Sequence, residues 1–195
     1  MRGKRISVFL FVLCCAALFP APSQSYMNGT QRVNGTVVGI SGRFAGRSRP
    51  FSLIVSRYTA ANQVRELNEA LSRGGQDQLV NTLSKMDAGR VQLGTGVGVP
   101  ANAVIADAWG DGGTKLTVFY QRNLSFFELR YGTRSADYPV GYAEIFLDRN
   151  GHGEGTLIPA AKVRLRDGNT WEVEDFGVLP ARLMGLRSSG SVEIR

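Results

Sequence analysis

The sequence is poor in the residues that most often carry covalent and metal chemistry. Its 195 residues include two cysteines, Cys14 and Cys15, and a single histidine, His152. Both cysteines lie in an N-terminal apolar run, so a chain that loses this run has no thiol. Cysteine nucleophiles, thiolate or multi-histidine zinc sites and haem attachment are therefore not expected. We predict no metal and no cofactor.

Long apolar runs are also scarce, and the clearest one is N-terminal. Three basic residues (Arg2, Lys4 and Arg5) precede an apolar stretch over residues 6–19, and prolines and small residues follow it. This order is typical of a cleavable secretory signal, and the stretch is shorter than the ~20 residues that a spanning helix needs. We predict that residues 1–25 are a signal peptide, with an uncleaved anchor as the alternative.

The rest of the chain is then a periplasmic or extracellular protein with no transmembrane segment. An exported chain without cysteine fits a bacterial envelope protein better than a small eukaryotic secreted domain, which commonly relies on disulfides. The 20 basic and 16 acidic residues that remain give a net charge of +4, which is typical of ordinary solubility. Basic residues interleaved with aromatics are not a general feature, so no nucleic-acid partner is expected.

The pattern along the mature chain predicts one domain. Residues 26–36 are polar with two Asn-Gly pairs and are expected to be a flexible lead-in, and residues 187–195 a frayed tail. Apolar residues at helical spacing predict a helix from Thr59 to about Ser72 and a second from 76 to 85. Gly74 and Gly75 separate the two, which indicates a helical hairpin.

Short strands and glycine-rich turns dominate from Arg90 onward. The turns at 111–113 and 150–153 are strong hairpin signals. Residues 37–186 are therefore predicted to form a single α+β domain. We expect an antiparallel β-meander or partly closed barrel with one inserted helical hairpin.

Several motifs look like catalytic or ligand-binding sites but have simpler explanations. His152 lies in a predicted turn, where a triad histidine would lack its orienting carboxylate, and no Gly-x-Ser-x-Gly elbow is present. Residues 148–154 resemble part of a calcium loop but lack its further acidic position and its final glutamate, so a hairpin turn explains them better. The glycines at 94–98 are not followed by a helix, as a phosphate loop requires.

Four carboxylates are candidate catalytic residues. Glu172 and Glu174 share one strand face beside Trp171, an arrangement found in glycan-active sites, although a strand with one solvated and one apolar face explains it better. Glu128 follows two phenylalanines and needs a partner if it points inward. With Asp137, these residues form the basis of a hydrolase or lyase hypothesis for glycan or lipid substrates.

Exposed arginine and aromatic residues are candidate binding residues. Arg43, Arg47 and Arg49 lie in a glycine- and serine-rich loop that is either solvated or contacts anionic lipid or polysaccharide. Phe126 and Phe127 are further candidates. If the meander closes around a cavity, these two residues, with Phe119 and Phe146, would line a site for a small apolar ligand.

Five stretches of the chain resemble segments of a known protein family. They are residues 74–77 (Gly-Gly-Gln-Asp), 126–128 (Phe-Phe-Glu), 137–139 (Asp-Tyr-Pro), 153–162, and 176–177 with 180–183. The chain resembles a family of exported bacterial proteins with no assigned activity. The resemblance spans nearly all of the mature chain and implies export and a single domain, but it transfers no site.

The sequence leaves three functional hypotheses. The first is a non-catalytic module that binds an envelope component or another exported protein, because the residues of most catalytic sites are missing. The second is the carboxylate-dependent hydrolase or lyase. The third is the carrier of a small apolar ligand.

Overall fold

The computed structural model describes residues 30–39, 45–122, 137–166, 170–175 and 180–190. This part of the chain contains nine strands and one helix. In chain order they are β1 (Gln31–Val38), β2 (Ser48–Val55), α1 (Ala61–Leu83), β3 (Gly89–Leu93), β4 (Val99–Trp109), β5 (Gly113–Gln121), β6 (Val140–Leu147), β7 (His152–Arg166), β8 (Thr170–Asp175) and β9 (Ala181–Ser189).

Eight of the strands form a closed antiparallel barrel. Strands β1 to β6 pair in succession, β6 pairs with β7, β7 with β9, and β9 returns to β1. Strand β8 pairs only with Ala161–Arg166, the second half of β7, and lies outside the barrel. The predicted α+β class and antiparallel meander are confirmed, and the barrel is closed rather than partly closed.

The barrel interior is filled by side chains. Alternate residues of each strand point inward, as the two-residue period of a strand requires, and all eight strands contribute to one buried apolar cluster. Its largest fully buried members include Leu53, Leu116, Ile145, Leu157 and Leu183. An eight-stranded barrel is just wide enough for such side chains to fill it.

A second apolar layer lies between the barrel and α1. Leu67, Leu71, Leu79 and Leu83 form the buried stripe of the helix. They pack with outward-facing residues of β4 to β7, including Phe119, and with Trp171 and Val173 of β8. The helix therefore covers one side of the barrel, and within the described part of the chain it does not pack on the outer surfaces of β1, β2, β3 and β9.

The predicted helical hairpin is wrong, because α1 is a single helix with a kink. The glycine pair does not end the helix. Gly75 adopts φ 62° and ψ −146°, a conformation that other residues rarely adopt, and helical geometry resumes directly after it. The two segments therefore form one kinked helix and not a helical hairpin.

The kink places the side chain of Gln76 against the edge of β7. Its Nε2 donates to the carbonyl oxygen of Val163, and its Oε1 accepts from the N–H of Val163 at 3.1 Å. The amide thus bonds both backbone groups of Val163, which lies beyond Ala161, where the pairing of β7 with β6 ends. An unpaired strand edge exposes such groups, so Gln76 protects this edge.

We expect Gln76→Ala to destabilise the protein by about 1–3 kcal/mol, because both backbone groups of Val163 lose their partner. Chemical denaturation measures the change in the free energy of unfolding. Exposed Gln78, two residues further along α1, offers the matched control. Gln78→Ala is expected to change stability by less than about 0.5 kcal/mol. Equal effects of the two substitutions would contradict the assigned role of Gln76.

The predicted boundaries of the domain also need correction. Residues 31–36, expected to belong to a flexible lead-in, form most of β1, and Arg187–Ser189 of the expected tail are part of β9. The polar residues of β1 alternate with inward-facing Gln31 and Val33, so their polarity reflects a solvated face rather than a loop. Residues 26–29 and 191–195 lie outside the described part of the chain.

Thr59 lies where the helix was predicted to begin, but its side chain does not cap the helix. Its Oγ1 accepts the N–H of Val104 at 2.9 Å, and its own N–H donates to the Val104 carbonyl at 2.7 Å. Ala60 is the residue at the start of α1, where its N–H donates to Oε1 of Gln63. Thr59 therefore ties the segment before α1 to β4.

Candidate functional site

The candidate carboxylates of β8 lie on its solvated face. Glu174 forms an ion pair with Arg164 at 3.1 Å and accepts a hydrogen bond from the Tyr138 hydroxyl at 2.7 Å, while Glu172 pairs with Arg166. The hydrogen bond from Tyr138 holds the pKa of Glu174 below its ordinary value, and Arg164 acts in the same direction. A general acid needs a raised pKa, so Glu174 is poorly suited to that role.

The opposite side of β8 is apolar, as the alternation predicts. Trp171 and Val173 pack against the layer beneath α1, and the indole N–H of Trp171 donates to Oδ1 of Asn68 at 2.5 Å. The interpretation of β8 as a strand with one solvated and one apolar face is confirmed. Glu172 and Glu174 therefore form a surface ion-pair array with their arginine partners, and neither points into a cleft.

Only some of the other predicted site residues belong to the described part of the chain. Asp137 is exposed, as are Arg47 and Arg49. Four further candidates lie outside the residues that the structure describes: Arg43, Phe126, Phe127 and Glu128. The described residues bring no two of the candidate carboxylates together in a cleft.

The two described phenylalanines of the carrier hypothesis do not line the barrel interior. Phe119 is buried between the barrel and α1, where its ring packs edge-on against Trp171 at 4.9 Å between centroids. Phe146 lies on the outer surface of β6, tilted against Trp109 at 4.7 Å. Placing these two residues in an internal cavity was wrong, because both occupy strand positions that face outward.

A buried polar cluster lies inside the barrel where β1 begins. Gln31 is 2 % exposed, accepts a hydrogen bond from the Tyr58 hydroxyl at Oε1, and donates to Oγ of Ser188 at 2.7 Å. Burial raises the pKa of Tyr58 far above its ordinary value, so this hydroxyl keeps its proton. The cluster is internally satisfied and is best explained as structure.

The side of the barrel that α1 does not cover carries only positively charged side chains among its strand residues. Strands β1, β2, β3 and β9 contain five arginines and no aspartate, glutamate or lysine. All five are exposed, but Arg49 belongs to β2 rather than to the predicted loop and lies on the strand side of inward-facing Phe51 and Leu53. The other four lie on the outer surface, and we call them the arginine face: Arg32, Arg90, Arg182 and Arg187. Single-sequence reasoning missed this face because its strands are distant in the chain.

The arginine face is not neutralised within the described structure. The ion pairs among the described residues lie on α1 (Arg73–Glu69), between β5 and β6 (Lys115–Glu144), and between β7 and β8. None of them involves an arginine of this face. Four cations therefore stand on neighbouring strands without a carboxylate partner, although such clustering repels itself.

A surface groove lies next to this face, at the turns that join β4 to β5 and β6 to β7. We call it the turn groove. It has a volume of about 500 Å³, and its apolar wall is formed by Phe146 and by Trp109, which is 51 % exposed. Its polar lining includes Asp111, Asn150, His152 and Glu154.

The β6–β7 turn is held rigid by Asp148. Its Oδ1 accepts the N–H groups of Asn150 and His152, each at 2.8 Å. The hydrogen bond from the N–H of His152 is the largest influence that lowers the pKa of the Asp148 carboxyl. The predicted hairpin turn is confirmed, and it explains the calcium-like spacing, because the first acidic residue of that motif binds its own turn.

Two further properties of the described residues bear on function. They contain no group of three or more histidine, cysteine, aspartate or glutamate side chains placed to hold a metal ion. No helix among them is both long enough and apolar enough to cross a membrane.

Comparison of the chain with protein-family models, with curated protein sequences and with solved structures finds no match. The resemblance to exported bacterial proteins stays a prediction. Among the described residues, the arginine face and the turn groove are the features that bear on function.

Proposed function

We propose that the mature chain is an exported, non-catalytic binding module, and that its arginine face binds an anionic polysaccharide of the cell envelope or extracellular space. The observation that carries this proposal is the exposed set of arginines on strands without a single carboxylate. Such a surface attracts anions and raises their local concentration. The hydrolase hypothesis receives less support, because Glu172 and Glu174 are exposed and paired with arginines.

The spacing of the arginines suits an extended ligand. Arg90 and Arg32 both lie opposite Ile54, one on each side of β2, so their backbones are about 10 Å apart by the ordinary strand spacing. Arg187 lies one strand beyond Arg32 and two residues along, which gives a separation of about 8 Å. A polymer that repeats its anionic group contacts several of these positions at once and gains from each.

The choice of arginine over lysine points to carboxylate, phosphate or sulfate groups. The guanidinium group presents a planar fork that binds such oxyanions through two parallel hydrogen bonds, whereas an ammonium group acts as a point charge. Every basic residue of the four strands is an arginine.

A lipid bilayer is a poorer fit than a polysaccharide. Peripheral insertion into a membrane uses large apolar side chains beside the basic residues. On the arginine face the only exposed large apolar residue is Met184, at 49 %. Two other exposed residues, Leu93 and Val97, belong to β3 and to the turn after it, at the margin of this face. The arginine face therefore carries charge but few apolar side chains that could insert into a bilayer.

The proposal is tested with the triple variant Arg32→Gln, Arg90→Gln, Arg187→Gln. Titration calorimetry measures binding of the mature protein to polygalacturonate, with uncharged dextran as the reference polymer. We expect wild-type binding to polygalacturonate alone and weaker binding at high salt, because screening shortens the range of the charges. The triple variant is expected to bind at least about tenfold more weakly, since each lost charged hydrogen bond is worth about 1.5–3 kcal/mol.

The matched control removes the same charge elsewhere. Arg65, Arg73 and Lys85 are exposed on α1 or just after it, and their replacement by glutamine lowers the net charge equally. This control is expected to keep nearly all of the affinity. Equal losses in both triple variants would overturn the proposal, because binding would then follow net charge. Binding to phosphatidylglycerol vesicles but not to polygalacturonate would also overturn it.

A further inference from the structure

The turn groove has a different chemistry from the arginine face. Its lining contains three carboxylates, Asp111, Asp148 and Glu154, and one guanidinium group, that of Arg149. It is therefore acidic where the neighbouring face is basic. The two surfaces meet at β7, since His152 lines the groove and pairs in register with Arg187.

The aromatic wall of the groove is held in place from behind. Phe146 lies against Trp109 and also contacts the Lys115 ammonium, which is 5.8 Å from the centre of its ring. Lys115 is itself paired with Glu144 at 2.6 Å. About half of the Trp109 surface nevertheless remains exposed, so Trp109 and Phe146 together offer an accessible aromatic surface.

We infer that the turn groove binds an uncharged or amino-substituted pyranose ring. The volume of about 500 Å³ is within the range of small-molecule sites. The C–H face of a pyranose packs on the electron-rich face of an indole, and its hydroxyl groups donate to carboxylates and amides at the rim. Asp111, Glu154 and Asn150 supply such acceptors around Trp109.

The acidic rim also determines which sugar is excluded. An anionic pyranose placed on Trp109 would bring its carboxylate close to Asp111 and Glu154, and like charges in contact oppose binding. The arginine face prefers that same anionic unit. This inference rests on the proposed function, because it assigns a second contact to the same polysaccharide: neutral or amino sugars in the groove and anionic units on the face.

The chain contains its own reference for a test. It has two tryptophans, and Trp171 is packed beneath α1 with its indole N–H bound to Asn68. Proton–nitrogen NMR of the mature protein resolves two indole signals. We expect maltohexaose, cellohexaose or N-acetylchitohexaose at millimolar concentration to shift the Trp109 signal and leave the Trp171 signal unchanged.

Substitutions then locate the contact. Trp109→Ala is expected to weaken binding of the responsive oligosaccharide by at least about tenfold, as for an aromatic anchor, because the stacking surface is removed. Trp109→Phe should retain part of the affinity. The arginine triple variant should bind the uncharged oligosaccharide as the wild type does, since its substitutions lie outside the groove.

Several outcomes would overturn the inference. One is that no uncharged or amino oligosaccharide shifts the Trp109 signal; salt-dependent polygalacturonate binding would then leave the proposed function standing. Another is that oligogalacturonate shifts the signal as strongly as uncharged sugars do, which would contradict selection by the acidic rim. A third is that choline binds while sugars do not, because the groove would then be a site for organic cations.

Discussion

Gly153→Ala is expected to destabilise the protein by about 3 kcal/mol, the upper part of the range for overpacking. A Cβ atom at this position would overlap the carbonyl oxygen of Phe146 and lie 2.8 Å from its carbonyl carbon. It would also lie 3.1 Å from the Cα of Leu147. These atoms belong to the backbone of β6, so they move only if the β6–β7 pairing shifts.

The matched control for this substitution is Gly96→Ala. A Cβ at Gly96 meets no atom within 4 Å, and this glycine has no positive φ. Its replacement should change stability by less than about 1 kcal/mol, with a gain expected from the lower entropy of the unfolded chain. Urea denaturation followed by tryptophan fluorescence measures both variants. If they were equally stable, the close approach of β6 and β7 at Gly153 would be wrong.

Leu67→Ala is expected to cost about 2–5 kcal/mol, because it removes a fully buried side chain from the layer between α1 and the barrel. Leu93, which is 37 % exposed, offers the control, and Leu93→Ala should cost much less. The measurement is the free energy of unfolding by denaturant, followed both by far-ultraviolet circular dichroism and by tryptophan fluorescence.

The two probes also test whether helix and barrel form one cooperative unit. If they do, both transitions of Leu67→Ala move to lower denaturant together. Trp171 lies beneath α1, so fluorescence is followed in the Trp171→Phe background, where Trp109 of β4 is the remaining tryptophan. If α1 melts first and the Trp109 transition stays at the midpoint found without the Leu67 substitution, the helix is a separate element. That result would contradict the prediction of a single domain, in which the second apolar layer supports the whole fold.

Local patterns predicted several elements correctly. The turns at 111–113 and 150–153 join β4 to β5 and β6 to β7, as their glycines and asparagine indicate. The alternation in β8 correctly separated Trp171 from Glu172. These predictions succeeded because turn conformations and strand faces depend on residues next to one another in the chain.

Other elements were predicted wrongly because their conformation depends on tertiary contacts. Asn34 and Gly35 were assigned to a flexible lead-in, yet they lie within β1, between β2 and β9. Gly75 looked like a helix stop, yet its non-helical φ and ψ only kink α1, and the helix resumes directly after it. In each case the residue is compatible with two local conformations, and the packing of the surrounding chain decides which one it adopts.

The candidate sites also divide into features set by neighbouring residues and features set by tertiary contacts. Glu172 and Glu174 were chosen for their spacing, which is local, but their arginine partners on β7 decide that they form ion pairs. The arginine face joins Arg32 and Arg187, which are 155 residues apart in the chain and lie on adjacent strands. No window of a single sequence brings such residues together.

The sequence by itself determined the composition, the strand periodicity and the turns, and with them the antiparallel α+β class. It also determined that the chain has a single histidine and that both cysteines lie in the N-terminal apolar run. The tertiary structure alone decided that β9 returns to β1 to close the barrel, that α1 covers one side, and that arginines gather on the other. The physical reason is that barrel closure depends on pairing between distant strands, which local propensities do not encode.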